Sequence, residues 1–218
     1  MSDLRIRYQT FEFHDFDIHI RSLRDTQEFY DGLGEAEALG ISSAQWSLFG
    51  QVWPSSQVLA REMEALPNID GKRFLEVGCG LALASLVLSA RGADVTATDY
   101  HPEAAAFLVE NLRLNDGCKV PYLRADWHQN YGGLGKFDVI IGSDIMYERE
   151  RVETLVEFIE RHAQQACEVI LVDPGRGNHS LFNRHMDALG FEQDERGIKA
   201  ISDDDVDFKG RVLRFFRT

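Results

Sequence analysis

A chain of 218 residues with 44% hydrophobic content can bury one substantial core. Its formal charge of −13 and pI near 4.9 argue against a protein that holds nucleic acid or an anionic membrane surface by neutralising phosphate. Cys79, Cys118 and Cys167 are too scattered for a disulfide framework or a zinc site, and the sequence has neither a signal-peptide core nor an apolar run of membrane-spanning length, so a cytoplasmic monomer without metal or membrane is expected.

The charge is uneven, with five basic and twelve acidic side chains in residues 1–70, and a soft boundary near Leu66 and Pro67 separates a segment 1–66 from a larger domain 67–218. In the first segment, Phe11, Phe13 and their neighbours alternate with polar residues, which predicts one or two half-buried strands with a turn near His14 and Asp15. Pro54 suits the first turn of a helix over residues 55–66, whose apolar face is Val58, Leu59, Met63 and Leu66.

The pattern then becomes regular. A short apolar strand at 73–77 runs into Gly78-Cys79-Gly80, and residues 81–90, apolar nearly all round, read as a buried helix closed by Gly92. A second strand at 94–98 ends at Asp99, followed by a helix over 102–115 and strands at 119–124 and 137–142. An amphipathic helix over 149–164, a strand at 168–172 and a helix over 179–189 come next, then strands near Phe191 and at 211–216. Alternating strands and helices mean a mostly parallel seven-stranded sheet covered on both faces. No helical pattern separates the last two strands, so they are expected to form a hairpin that sets one antiparallel strand into the sheet. The run Asp203-Asp204-Asp205, with Asp207, reads as a solvated loop.

The chemistry gathers around Glu76-Val77-Gly78-Cys79-Gly80 and Asp99. Glycines at a strand-to-helix turn let backbone approach a ligand, and an acidic residue closing the next strand can accept both ribose hydroxyls of a nucleoside. A dinucleotide fingerprint would place its third glycine at position 83, which is Leu83, and Glu76 would repel a diphosphate. Glu76 suits instead a ligand carrying an ammonium and a sulfonium. Cys79 reads as a small filler of the turn rather than a nucleophile.

In these residues the sequence resembles the seven-stranded S-adenosylmethionine-dependent methyltransferases. Gly50-Gln51-Val52-Trp53-Pro54, Asp126-Trp127 and Ser143-Asp144-Ile145-Met146-Tyr147 are similar to motifs of its family-16 branch, which includes many protein lysine methyltransferases. The likeness covers about residues 45–175, and Ala82 stands where many relatives have a third glycine. It implies a Rossmann-like fold, S-adenosyl-L-methionine as cofactor, and a cap on the substrate side made by residues 1–66.

The resemblance also implies roles. Gly78, Cys79 and Gly80 would pass beneath the cofactor's amino-acid moiety near Glu76, Asp99 would hold the ribose, Asp126 and Trp127 would receive the adenine, and Trp53 and Ser143 would lie close by. Asp144 and Tyr147, at the carboxyl edge of their strand, would orient an acceptor amine, with Asp144 also helping to release its proton. Simpler readings stand beside these: Asp144 as a helix N-cap, Asp126 as a turn residue, Trp127 as core, and Trp53 as a cap on the N-terminal helix. His101 reads as a turn cap and His128 as a surface histidine; His179 and His185 do not share a helix face, and Asp173 or Arg176 can touch substrate. The implied reaction is methylation of a lysine in a basic segment of a protein. Arginine, a small-molecule amine, or a cofactor-binding interaction protein without activity are the alternatives, and a dehydrogenase is disfavoured by Glu76.

Overall fold

The computed structural model describes residues 4–27, 29–198 and 208–218, so the acidic stretch at Asp203–Asp207 lies outside the described residues. An antiparallel hairpin comes first, β1 (Ile6–Glu12) and β2 (Asp17–Leu23), with Phe13 N–H donating to Phe16 carbonyl oxygen across the His14-Asp15 turn. A short helix α1 (Glu35–Ala38) and a 3-10 turn at Leu48–Gly50 precede helix α2 (Pro54–Ala65).

The main sheet alternates with helices: β3 (Arg73–Val77), α3 (Leu83–Ala90), β4 (Asp94–Asp99), α4 (Ala104–Leu114), β5 (Tyr122–Arg124), β6 (Phe137–Ser143), α5 (Val152–His162), β7 (Ala163–Asp173), α6 (His179–Ala188), β8 (Glu192–Ile198) and β9 (Gly210–Arg217). The seven strands lie in the order β5-β4-β3-β6-β7-β9-β8. Only β9 runs antiparallel, paired with β7 on one side and β8 on the other, as the expected closing hairpin requires. Central strands such as β3 and β6 read as continuous apolar runs because helices cover both of their faces. β8 is an edge strand of exposed charged residues, which discourages further pairing.

Element limits differ from the sequence reading for local reasons. The helix expected from residue 81 begins at Leu83, because Ala82 takes a left-handed conformation with φ 60° and finishes the glycine turn. The strand expected from residue 119 starts at Tyr122, since Lys119 N–H donates to Ser89 Oγ and Pro121 has no N–H to donate. The helix expected over 149–164 is a 3-10 turn at Arg149–Arg151 followed by α5, while Ala163 and Gln164 have joined β7.

The hairpin docks onto α4. Asn115 Oδ1 accepts from His19 N–H at 2.8 Å and Asn111 Oδ1 from Arg21 N–H at 2.7 Å, so two asparagines satisfy backbone that would otherwise lie unpaired. Ile18, Ile20 and Leu23 join the same buried cluster as Phe74, Leu86 and Phe107. On the other face of the sheet, Leu75, Ile140, Val169 and Phe215 pack against Leu155, Phe158 and Ile159 of α5 and Phe182 of α6. The chain steps outward from β3 to β4 and β5, then returns across β3 to β6 and β7. The carboxyl ends of β3 and β6 therefore bound the crevice in which open α/β sheets bind ligands.

Candidate active site

At the carboxyl end of β3 the backbone is set by three left-handed residues at alternate positions, Gly78 (φ 65°), Gly80 (φ 52°) and Ala82 (φ 60°). A Cβ on Gly78 would stand 2.6 Å from Ile145 Cγ2, and one on Gly80 would stand 3.0 Å from Phe49 carbonyl oxygen. Both glycines are thus needed for conformation and for space. Cys79 is buried and its N–H donates to Thr98 carbonyl oxygen at 2.9 Å. Burial pushes its thiol well above the usual range, as suits a filler and not a nucleophile.

Glu76 is 2% exposed and turned towards the start of α3, where Oε2 accepts from Ser85 N–H at 3.0 Å and from the Ser85 hydroxyl. Burial pushes its carboxyl up to about 7, against the lowering pull of both Ser85 bonds. Asp99 closes β4 and is held by amides: Oδ2 accepts from Gly80 N–H and Oδ1 from His101 N–H, each at 2.8 Å. Burial raises its pKa as well, with those bonds opposing. The glycine turn and the acidic end of β4 are therefore one hydrogen-bonded unit.

Beyond β5, Asp126 N–H donates to the Tyr131 hydroxyl at 2.9 Å, and Asp126 Oδ1 lies 3.0 Å from both the N–H and Nδ1 of the exposed His128. Partial burial pushes the Asp126 carboxyl up, and the His128 bonds outweigh it to leave the pKa lowered. Trp127 is half-buried, packed against the core under α5. The Arg151 guanidinium lies 5.4 Å from the Trp127 ring centroid and 5.5 Å from that of Tyr100, bridging the ends of β4 and β5. Sequence reasoning missed Tyr100 and Arg151: one is an ordinary neighbour of Asp99, the other lies inside the stretch read only as an amphipathic helix.

The segment before α2 is seated on this edge. Trp53 stands at the N-cap position of α2, and its indole N–H donates to Leu48 carbonyl oxygen at 2.8 Å, holding the loop that brings Phe49 to Gly80. His101 stacks on Phe49 with centroids 4.0 Å apart, and its Nδ1 accepts from Glu103 N–H at 3.2 Å, a turn cap as the sequence suggests. Burial lowers its pKa to about 4, so it is a neutral member of the core. The Tyr100 hydroxyl donates to Leu39 carbonyl oxygen at 2.6 Å, and Gln45 Nε2 donates to Glu148 Oε1 at 2.5 Å.

At the end of β6, Ser143 pairs with Val172 and Asp144 N–H donates to Val172 carbonyl oxygen at 2.9 Å. Asp144 adopts φ 51°, and the next helical element, the 3-10 turn at Arg149–Arg151, has Glu148 and not Asp144 at its N-cap, so the N-cap reading of Asp144 is overturned. Arg176 forks onto Asp144, Nε to Oδ1 at 2.9 Å and Nη2 to Oδ2 at 2.6 Å. Tyr147 is 40% exposed, and what burial it has raises its phenol pKa. Next door at the end of β7, Asp173 is 1% exposed. Its Oδ2, Arg211 Nε and His179 Nδ1 make no hydrogen bond among the described residues, although Oδ2 is 3.9 Å from Arg211 Nε and 4.0 Å from His179 Nδ1. The residues given cofactor or acceptor roles from the sequence thus stand at the carboxyl edge of the sheet or in the loop against it, whereas His185 lies near the far end of α6 and Cys118 beyond the end of α4. Among the described residues no helix is long and apolar enough to cross a membrane, and no three metal-ligating side chains cluster.

A family model described as lysine methyltransferase matches residues 38–187. Calmodulin-lysine N-methyltransferase of Arabidopsis thaliana is 30% identical over 137 residues, covering 58% of this chain and 45% of that protein. Protein N-lysine methyltransferase METTL21A of Danio rerio is 32% identical over 140 residues, covering 60% of this chain and 63% of that protein. The chain thus spans about half the length of the curated relatives it matches. Among solved structures, a T. thermophilus 16S rRNA N2 G1207 methyltransferase in complex with AdoMet and guanosine superposes with a TM-score of 0.65 at 15% identity, over 98% of this chain and 51% of that one, a likeness of fold.

Proposed function

The chain belongs to the lysine methyltransferase family, and from that premise we propose that it transfers a methyl group from S-adenosyl-L-methionine to a lysine side chain of a protein. The observation that carries this reading is the chemistry of the groups along the crevice. Asp99 and Asp126 are acceptors there, Glu76 adds a further acidic group buried behind the turn on Ser85, and residues 76–84 contain no basic side chain to meet a phosphate. Such a set fits a ligand with ribose hydroxyls, an adenine amino group, an ammonium and a sulfonium, and fits a pyrophosphate poorly. The cofactor, when bound, supplies a methyl group activated on a sulfonium.

The chain's own residues do the rest. Asp99 would accept from the ribose and Asp126 from the adenine amino group, and Trp127 would offer the ring a flat face. Gly78, Cys79 and Gly80 would hold the amino-acid moiety by close backbone contact, with Trp53 and Ser143 bordering the same space. Asp144 and Tyr147 line the acceptor end, where Asp144 orients the amine and Tyr147 flanks its alkyl stem. A lysine is protonated near neutral pH, so the site must also favour its neutral form before the lone pair can attack in line.

The acceptor is read as a basic protein segment, which a chain of charge −13 attracts. Within the segment 1–66 read as a cap, the loop through Gln45 is the part that reaches the acceptor end, at Glu148 beside Tyr147, while the hairpin lies against α4; the chain acts as a cytoplasmic monomer without nucleic acid. An arginine acceptor is the second reading, favoured by the side-on grip of Asp144 on a guanidinium. Incubation with methyl-labelled S-adenosylmethionine and a cell lysate, followed by mass spectrometry of the labelled protein, separates the two. Methyl-lysine is expected; methyl-arginine would transfer the assignment, and absence of any labelled protein would remove it.

A further inference from the structure

We propose that Arg176 is a tethered competitor for the acceptor site, and that it restricts the acceptor to a cation presented by a docked protein. This rests on the reading of Asp144 as the residue that orients the acceptor amine. The fork at 2.9 and 2.6 Å engages both oxygens of Asp144 with a guanidinium and neutralises its charge, so an incoming ammonium finds that carboxylate already paired. The two partners are unequal. The Asp144 side chain is 13% exposed and that of Arg176 is 47% exposed, so Arg176 reaches into the site from the solvent side.

The tether is built to swing. Arg176 stands between Gly175 (φ 91°) and Gly177 (φ 88°), and neither glycine has an atom within 4 Å of where a Cβ would be. Both ends of this short loop are pinned, by buried Asp173 at the end of β7 and by Asn178, whose Nδ2 donates to Met146 carbonyl oxygen at 2.8 Å. Arg176 N–H is only 3.5 Å from Asp173 Oδ1, a long contact that resists movement little. Exchange of one cation for another leaves Asp144 paired throughout, which avoids the cost of a lone, partly buried charge.

Tethering sets the threshold. A short loop holds the guanidinium at an effective concentration on the order of millimolar, so a free amine at lower concentration is excluded. A lysine on a protein already docked at the crevice competes on equal terms, because its own effective concentration is of the same order. Arg176 thereby selects protein-borne acceptors over small-molecule amines.

n-Butylammonium, which is the lysine side chain as a free amine, is the probe. Its binding to the full chain is followed by calorimetry and NMR, with and without S-adenosylhomocysteine. Arg176→Gln is expected to bind it about tenfold more tightly than the unmodified chain, a change of about 1.4 kcal/mol. Arg176→Lys, which keeps charge but loses the fork, is expected to fall between them. In Asp144→Asn with Arg176→Gln the gain should vanish. Equal or weaker binding by Arg176→Gln, or a gain that survives loss of the Asp144 charge, overturns the proposal. Failure of S-adenosylhomocysteine to bind would remove the cofactor reading instead, while the n-butylammonium titration still decides the role of Arg176.

Discussion

The two ends of the crevice are built on different principles. At the β3–β4 end, polar groups are paired with backbone: Asp99 takes the amides of Gly80 and His101, and Glu76 takes that of Ser85. At the β6–β7 end, side chains pair with side chains, as in the Arg176 fork on Asp144, and Asp173 Oδ2 is left without a hydrogen bond among the described residues. Backbone-held groups cannot move without unfolding the turn, which suits a ligand that is the same in every cycle. Side chains held by other side chains can exchange partners, which suits an acceptor that must enter and leave.

This contrast can be broken by substitution. The largest effect is expected at the exchangeable end: Asp144→Ala should lower methyl transfer about 1000-fold while S-adenosylhomocysteine affinity changes little, since orientation acts mainly on the reacting geometry. Equal turnover in the variant would remove Asp144 from the reaction. Next comes Glu76, whose folded-state pKa of about 7 lies above the ordinary 4.5. The folded chain therefore binds the extra proton, and this group's contribution to stability falls as pH rises from about 4.5 through 7. Glu76→Gln, which keeps an acceptor for Ser85, should abolish that slope and gain up to about 3 kcal/mol over the parent at pH 8. Parallel urea-unfolding curves for the two proteins across pH 5–8 would show that the carboxyl is ionised at no cost. The smallest effect is expected for Asp99→Ala, about a 30-fold loss of S-adenosylmethionine affinity by calorimetry, since backbone amides remain to meet the ligand. An unchanged affinity would sink the ribose assignment.

Much of the fold was legible because central parallel strands leave continuous apolar runs, and glycines mark the turn after the first of them. The antiparallel β9 followed from the lack of any helical pattern before it. The limits that shifted, at Leu83, Tyr122 and Ala163, depend on partners distant in sequence or on a left-handed residue that local pattern does not reveal. Helix α1 was invisible because it is only four residues long; Asp31 organises it, accepting from Glu35 N–H at 3.0 Å and Glu37 N–H at 2.8 Å.

The sequence alone determined which chemical groups stand at the carboxyl ends of β3, β4 and β6, because strand ends and short motifs are local properties of the chain. Tertiary structure decided whom those groups face. Arg176 reaches Asp144 across 32 residues, Arg151 bridges Tyr100 and Trp127, and Gln45 meets Glu148 across 103 residues. Such pairings arise from the return of the chain across β3 and the folding of residues 29–53 over the sheet edge. Charge and spacing along a sequence do not encode that geometry; it exists only once the sheet has been ordered.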